Sequence, residues 1–142
     1  MKKTIATLGL GLSLAASAAL ADDTTQQVTV SLTSANSMAQ GMAMVLANQM
    51  QEQGAQVDIL LCDAAGDMAL KGAEGEVLKP NDVTPVQLLD AAIKKGATAS
   101  VCALYLPNSG NSPDNLRDGI TPAKPADMAA RLLEKDRKVI GF

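Results

Sequence analysis

The first residue whose type and position suggest chemistry is a cysteine at the end of an apolar stretch. The segment 97–105 predicts a buried strand that ends at Cys102, and a long polar segment, 107–122, follows it. In open α/β sheets, ligands bind outside the carboxyl ends of the strands, so a thiol placed there is a candidate nucleophile. Free cysteine is also among the most buried residue types, so a core residue is the competing interpretation.

Two aspartates follow another candidate strand. Asp63 and Asp67 come directly after the apolar run 57–62, at the spacing of neighbours on one helix face. Their carboxylates are suited to binding a cation or to accepting hydrogen bonds from a substrate. The alternative is that they cap and solvate a short helix over 63–72, which is the commoner role of aspartate at such a position.

A third candidate is a group of methionines in one predicted helix, and it includes Met44. Thioethers bind Cu(I), so methionines together with a cysteine form a hypothesis for copper binding. Packing is the stronger interpretation, because methionine fills irregular gaps in cores. The face that we expect to be buried carries five apolar residues at helical spacing: Met38, Met42, Val45, Leu46 and Met50. Met44 lies on another face of the helix.

The composition excludes several classes of site. The chain has no histidine, so neither a Ser-His-Asp triad nor a histidine-ligated zinc site can be built. Its two cysteines, Cys62 and Cys102, do not form a C-x-x-C motif, and the chain contains no Gly-rich dinucleotide motif and no Walker loop. We therefore expect no metal and no organic cofactor.

The N-terminal segment has the three parts of a secretory signal peptide. Two lysines give a positive start, residues 5–14 are apolar, and an A-x-A cleavage signal ends at Ala21. We expect residues 1–21 to be removed and the protein to be periplasmic. The remaining residues, 22–142, form one predicted domain, and no further apolar run is long enough to span a membrane.

Charge and composition of the predicted mature chain bear on its partners. After loss of Lys2 and Lys3, ten of the 12 basic residues remain against 15 acidic ones, which gives a net charge of −5. An acidic chain without a basic block argues against nucleic-acid binding. With one tyrosine and one phenylalanine, the core must be built from small aliphatic side chains that each bury little area. Assembly into a homo-oligomer is one way to bury more.

The candidate residues are positioned by alternating strands and helices. Strands are predicted at 26–33, 57–62, 97–105 and 139–142. Helices are predicted between the first two strands, over 63–72, from a capping box at Thr84 and from Pro125. Strands that alternate with helices predict an α/β fold with a parallel sheet that is covered on both faces.

The element order and the residues at the strand ends resemble the DsrE/DsrF-like family of small sulfur-relay α/β proteins. The similarity covers nearly all of 22–142 and depends on five stretches: 33–37, 54–61, 88–97, Val101-Cys102 and 136–142. It implies a flavodoxin-like three-layer sandwich with a mainly parallel sheet of four or five strands. It also implies a homo-oligomer, commonly a trimer or hexamer, and sulfur handling with a donor or acceptor protein as partner.

Cys102 falls on the position that carries persulfide sulfur in the sulfur-transferring members of that family. We therefore take Cys102 as the candidate catalytic residue, with Cys62, Asn36 and Arg117 as secondary candidates. A reactive thiolate needs a nearby cation or helix N-terminus, and Arg117 and Lys124 are the first cations that follow Cys102 in the sequence. The alternatives are a non-catalytic oligomeric binding module, in which Cys102 is only a core residue, and a periplasmic copper-binding protein.

The expected strand order also predicts the separation of the two cysteines. In a 2-1-3 order, the strands that end at Cys62 and Cys102 flank the first strand, which separates them by roughly 9–10 Å. A disulfide needs Cα atoms within about 7 Å of each other. We therefore expect two free thiols. We expect Cys102 to be the more accessible one, because the long segment 107–122 follows it.

Overall fold

The computed structural model describes residues 25–142. The predicted signal peptide, residues 1–21, lies outside the described residues, so its prediction stands on the sequence alone. Within residues 25–142, no helix is both long and apolar enough to cross a membrane.

The described chain forms a five-stranded, fully parallel sheet with helices on both faces. The strands are β1 (Gln27–Leu32), β2 (Gln56–Leu61), β3 (Thr98–Val101), β4 (Ile120–Pro122) and β5 (Lys138–Gly141), and their order in the sheet is β4-β3-β2-β1-β5. The helices are α1 (Ser37–Glu52), α2 (Pro85–Lys94), α3 (Tyr105–Asn108) and α4 (Pro125–Leu132), with 3₁₀ segments at Asp63–Ala69 and Pro113–Asn115. This arrangement confirms the predicted flavodoxin-like α/β fold.

The direction of the chain across the sheet decides which face each helix covers. Crossovers between parallel strands are right-handed, so successive crossovers in one direction put their helices on the same face. The chain steps from β1 to β2 to β3, and α1 and α2 lie together, with Asn48 Nδ2 donating to the Leu88 carbonyl at 2.9 Å. The return from β4 to β5 puts α4 on the opposite face, where Arg131 contacts Asp58 of β2 at 2.7 Å.

The expected 2-1-3 strand order is wrong. β2 lies between β1 and β3, and the second neighbour of β1 is β5. The alternation of strands and helices is the same for either order, because it does not encode the direction in which the second crossover runs. That direction is set by the packing of α2 beside α1 and by the C-terminal strand, which occupies the free edge of β1 through pairs such as Val30 with Ile140.

The expected buried face of α1 is also wrong. Met44 is completely buried, whereas the exposed fractions of Met38 and Met42 are 68% and 53%. Both helix faces carry apolar residues at helical spacing, and the face with small side chains is the one that packs, because it lets the helix approach closely. At Gly41, for example, a Cβ atom would overlap Leu78. Met44 is therefore separated from Met38 and Met42, and the methionines proposed for copper do not share one face.

The local signals for α2 are confirmed. Thr84 and Gln87 form a reciprocal capping box, and Pro85 occupies the first turn. The long polar segment 107–122 is not all loop, because it contains the second 3₁₀ turn and all of β4. Strand β4 has only three residues and follows a Gly-rich and Asn-rich stretch, so it gives no periodic signal. It is identified by its register, in which Ile120 pairs with Ala99.

Candidate functional site

The two cysteines lie side by side at the carboxyl edge of the sheet. Leu61 and Val101 are the last register pair of β2 and β3, and the ladder continues one step further, since Cys102 N–H donates to the Leu61 carbonyl at 2.8 Å. Cys62 N–H in turn donates to the Leu32 carbonyl of β1 at 2.9 Å. The predicted separation of two strands is therefore wrong. The cysteines follow neighbouring strands, about 4.8 Å apart, and both carry free thiols.

Cys102 lines two clefts. The first, which we call the tyrosine cleft, has a volume of about 470 Å³. Its walls are formed by Asp63, Ala64, Asp67, Cys102, Leu104, Tyr105, Asn108 and Ser109. The second, the α4 cleft, has a volume of about 300 Å³ and an almost entirely apolar wall of Leu60, Cys102, Ala103, Leu104, Ala123, Pro125, Met128, Ala129 and Leu132. Both cysteines are partly exposed, and of the two only Cys102 lines these clefts.

One wall of the tyrosine cleft is a fixed side-chain pair. The Tyr105 hydroxyl donates to the Asp67 carboxylate, which ties α3 to the first 3₁₀ segment. Burial, together with the hydrogen bond and charge of Asp67, raises the pKa of Tyr105 to about 12. The ring packs directly on Gly66, where a Cβ atom would overlap it. The sequence suggests Asp67 as a residue that contacts a substrate or a cation. In the structure its carboxylate accepts the hydrogen bond from Tyr105.

The neighbourhood of Cys62 keeps its thiol protonated. Burial raises the pKa of Cys62 to about 12, with further contributions from the adjacent Cys102 and from the negative charge of Asp63. Asp63 follows directly with a left-handed backbone conformation, φ 49°, which aspartate tolerates better than most residues. The pair thus combines a thiol that holds its proton with a second sulfur that borders both clefts.

The structure does not bring Arg117 to the cysteines. Its guanidinium donates to Asp90 of α2 and, at 3.2 Å, to the Ala73 carbonyl. It borders a separate cleft with Lys71 and Lys94. The expected role of Arg117 in lowering the pKa of the Cys102 thiol therefore lacks a structural basis. The carboxylate that binds Arg117 belongs to Asp90 of α2. The position of Arg117 in the sequence does not indicate this contact.

Asn36 and Lys124 also have other positions. The Asn36 side chain caps α1, accepting from the backbone N–H groups of Met38 and Ala39 at 2.9 and 3.1 Å. Lys124 precedes α4 and borders a groove along β3 and β4. Among the described residues that line the two clefts at Cys102, none carries a positive charge. Cys102 therefore lies between a cleft with an acidic wall and a cleft with an apolar wall.

Two further residues of the site were not found from the sequence. The predicted strand over 97–105 ends at Tyr105, although this residue begins α3 and forms the cleft wall. Gly66 lies in the predicted short helix over 63–72 without any sign of a role in the site, although it makes room for the aromatic ring. A single tyrosine three residues after the candidate nucleophile was the available signal. Within residues 25–142, no cluster of three or more cysteine, aspartate or glutamate residues is arranged to hold a metal ion.

Comparison with known proteins supports the fold. The structure is similar to that of the ychN protein from E. coli, with a TM-score of 0.68 and 21% sequence identity over 82% of this chain and 99% of that one. It is also similar to MTH1491, a protein of unknown function from Methanobacterium thermoautotrophicum, with a TM-score of 0.59 and 11% identity over 82% and 98% of the two chains. No protein-family model and no curated protein sequence matches the chain.

Proposed function

We propose that this chain is an exported, DsrE/DsrF-like protein that carries sulfur as a persulfide on Cys102. The observation that carries the proposal is the place of Cys102, at the carboxyl end of a parallel strand and in the walls of two clefts. Ligands of open α/β sheets bind at this edge. The fold shared with ychN agrees with the family to which the sequence is similar.

The reaction is the transfer of one sulfur atom between thiols. The Cys102 thiolate attacks the terminal sulfur of a donor persulfide, R–S–SH. A new S–S bond forms on Cys102, the S–S bond of the donor breaks, and the donor leaves as the thiolate R–S⁻. An acceptor thiolate then removes the terminal sulfur by the same step in reverse. Sulfur exchange of this kind needs an accessible thiol more than a preformed cofactor site.

The walls of the two clefts favour a particular class of donor. Asp63 and Asp67 line the tyrosine cleft, and like charges repel small inorganic anions such as thiosulfate. The α4 cleft is apolar and fits a carbon chain or an apolar protein side chain. The preferred donor is therefore an organic or protein-bound persulfide, whose apolar group can bind in the α4 cleft, whereas a small inorganic anion has no such group.

The proposal includes a location and an assembly. The sequence features of residues 1–21, which are those of a signal peptide, support a periplasmic location after cleavage. A homo-oligomer, a trimer or hexamer, would cover apolar side chains that the single chain leaves exposed on α1, namely Met38, Met42 and Val45. The partner in catalysis would be a sulfur donor or acceptor protein.

The test is sulfur loading of the purified, reduced protein. We expect incubation with a low-molecular-weight alkyl persulfide to add one sulfur atom to Cys102 in the Cys62→Ser variant, detected by mass spectrometry of the intact chain and of its peptides. Cys102→Ser is the matched control and should take up no sulfur. A Cys62→Ser protein that is folded, as judged by circular dichroism, yet gains no sulfur would overturn the proposal.

A non-catalytic oligomeric binding module is the second candidate, and the exposed apolar face of α1 favours it. Thiol labelling separates the two candidates. Fast modification of Cys102 by a maleimide in the native protein, at the rate of an accessible thiol, agrees with sulfur carriage. Protection of Cys102 until the protein is unfolded by denaturant supports the binding module, because the thiol is then covered in the assembly.

A further inference from the structure

The pairing of the two cysteines has a consequence for a persulfide formed at this site. Cys62 and Cys102 are next to each other across parallel strands, one step beyond the register pair Leu61 and Val101. Strands in a sheet are about 4.8 Å apart, which falls inside the range of roughly 4.4–6.8 Å between the Cα atoms of disulfide-bonded cysteines. The backbone hydrogen bonds from Cys62 to Leu32 and from Cys102 to Leu61 hold both residues in this arrangement.

We propose that Cys62 is the resolving thiol of the Cys102 persulfide: it attacks the inner sulfur, releases hydrosulfide and leaves a Cys62–Cys102 disulfide. This inference rests on the proposed function and adds a second reacting residue to the same site. In this role Cys62 is a reactant, because its attack removes the added sulfur from Cys102 when no acceptor binds.

The step balances without an external oxidant. Before it, Cys102 carries Sγ–S⁻ and Cys62 carries Sγ–H. The Cys62 sulfur forms a bond to the Cys102 sulfur, the bond from Cys102 to the terminal sulfur breaks, and the proton of Cys62 passes to the departing atom. The products are the disulfide and HS⁻. The terminal sulfur is reduced from the sulfane state, and the two cysteine sulfurs are oxidised. A thiol reductant, such as a protein dithiol, then returns the pair to its starting state.

The geometry also assigns the order of the two sulfurs. Cys102 lines both clefts and Cys62 lines neither, so a donor reaches Cys102. Burial, the neighbouring Cys102 and the charge of Asp63 keep the pKa of Cys62 high, so this thiol holds the proton that the leaving sulfur needs. A high pKa also leaves a small thiolate fraction, which makes Cys62 a slow attacker. An acceptor that docks quickly therefore collects the sulfur before the internal reaction does.

The experiment compares the wild-type chain with the Cys62→Ser variant. Both proteins are reduced, loaded with a low-molecular-weight alkyl persulfide, freed of small molecules and followed over time without an acceptor. We expect the wild type to release about one hydrosulfide per chain and to end two hydrogens lighter than the reduced protein, with a Cys62–Cys102 peptide in non-reducing maps. The variant should keep its added sulfur. The release rate should not change when the protein is diluted, because the two thiols belong to one chain.

The possible results distinguish this inference from the function on which it rests. If the Cys62→Ser variant takes up no sulfur, sulfur carriage itself is wrong. If the variant is loaded and the wild type holds its persulfide equally long, Cys62 has no resolving role. Release that slows on dilution also overturns the inference, because the attacking thiol then comes from another chain. The variant Cys62→Ala provides an independent check, since it should behave as Cys62→Ser does.

Discussion

The two faces of the sheet are stabilised in different ways. On the face covered by α1 and α2, the central strands present Val30, Ile59 and Ala99, all of them buried, beneath side chains such as Met44 and Leu89. At the next register step, on the face covered by α4, the same strands present Thr29, Asp58 and Thr98. Helix α4 is short and contributes no fully buried residue.

Polar contacts replace apolar packing on the α4 face. Asp58 is buried and accepts hydrogen bonds from Arg131 of α4, from Arg137 before β5 and from the Thr98 hydroxyl. Arg137 also donates to Thr29 at 3.2 Å. Alternation along β2 and β3 puts Cys62 and Cys102 on the same side as Asp58. The two cysteines are thus located on the face that has little cover, where clefts reach the sheet edge.

The largest expected effect comes from breaking the ion network of the α4 face. We expect Asp58→Asn to lower the free energy of unfolding by about 3–5 kcal/mol, because it leaves the buried guanidinium of Arg137 with only the half-exposed Glu134 as a charged partner. Urea denaturation followed by circular dichroism measures the change. The control is Glu52→Gln, which removes the carboxylate of an exposed pair with Lys95 and should alter stability little. Similar midpoints for the two variants would show that the network is not what holds the α4 face.

The sequence predicted the strands and helices well, because alternating and helical periodicities are local. Thr84 with Gln87 and the strand pattern of β1 needed no tertiary information. The strand order and the buried face of α1 depend instead on which helix packs beside which. Met38 and Met44 are equally apolar in the sequence, and the close approach of the helix to its neighbours decides which one is buried.

The candidate site was predicted in part for the same reason. The place of Cys102 at a strand end follows from local pattern. Its neighbours do not, because Cys62 comes from another strand, and the charge that holds Arg117 comes from Asp90 of α2. The wall residue Tyr105 belongs to a helix of four residues, which is too short to produce a periodic signal.

An intermediate effect is expected where the cleft wall is tightly packed. In Gly66→Ala the new methyl group displaces the Tyr105 ring, at an expected cost of about 1–3 kcal/mol in the free energy of unfolding. The displaced ring opens the tyrosine cleft, so the rate of maleimide modification of Cys102 should rise. Gly41→Ala is the comparison on α1, where the added methyl meets Leu78 and should leave that rate unchanged. Equal labelling rates in the two variants would show that the Tyr105 ring does not control access to Cys102.

The smallest effect is a pH dependence at the cleft wall. Tyr105 is the only tyrosine in the sequence, so phenolate absorbance reports on it alone. Burial and Asp67 raise its pKa to about 12, above the ordinary value near 10. The neutral phenol is therefore favoured in the folded state. Its contribution to stability is complete below pH ~10 and is lost as the pH rises toward ~12.

The titration itself tests the pair of Tyr105 with Asp67. We expect the phenolate to form in the folded protein only as the pH approaches 12, with circular dichroism confirming that the fold persists. Asp67→Asn removes the charge but leaves Tyr105 buried. The pKa of Tyr105 should therefore be lower than in the wild type and still higher than that of a free tyrosine. A wild-type midpoint near 10 would mean that the phenol is solvated. The tyrosine cleft would then lack the fixed wall that distinguishes it from the open surface around α4.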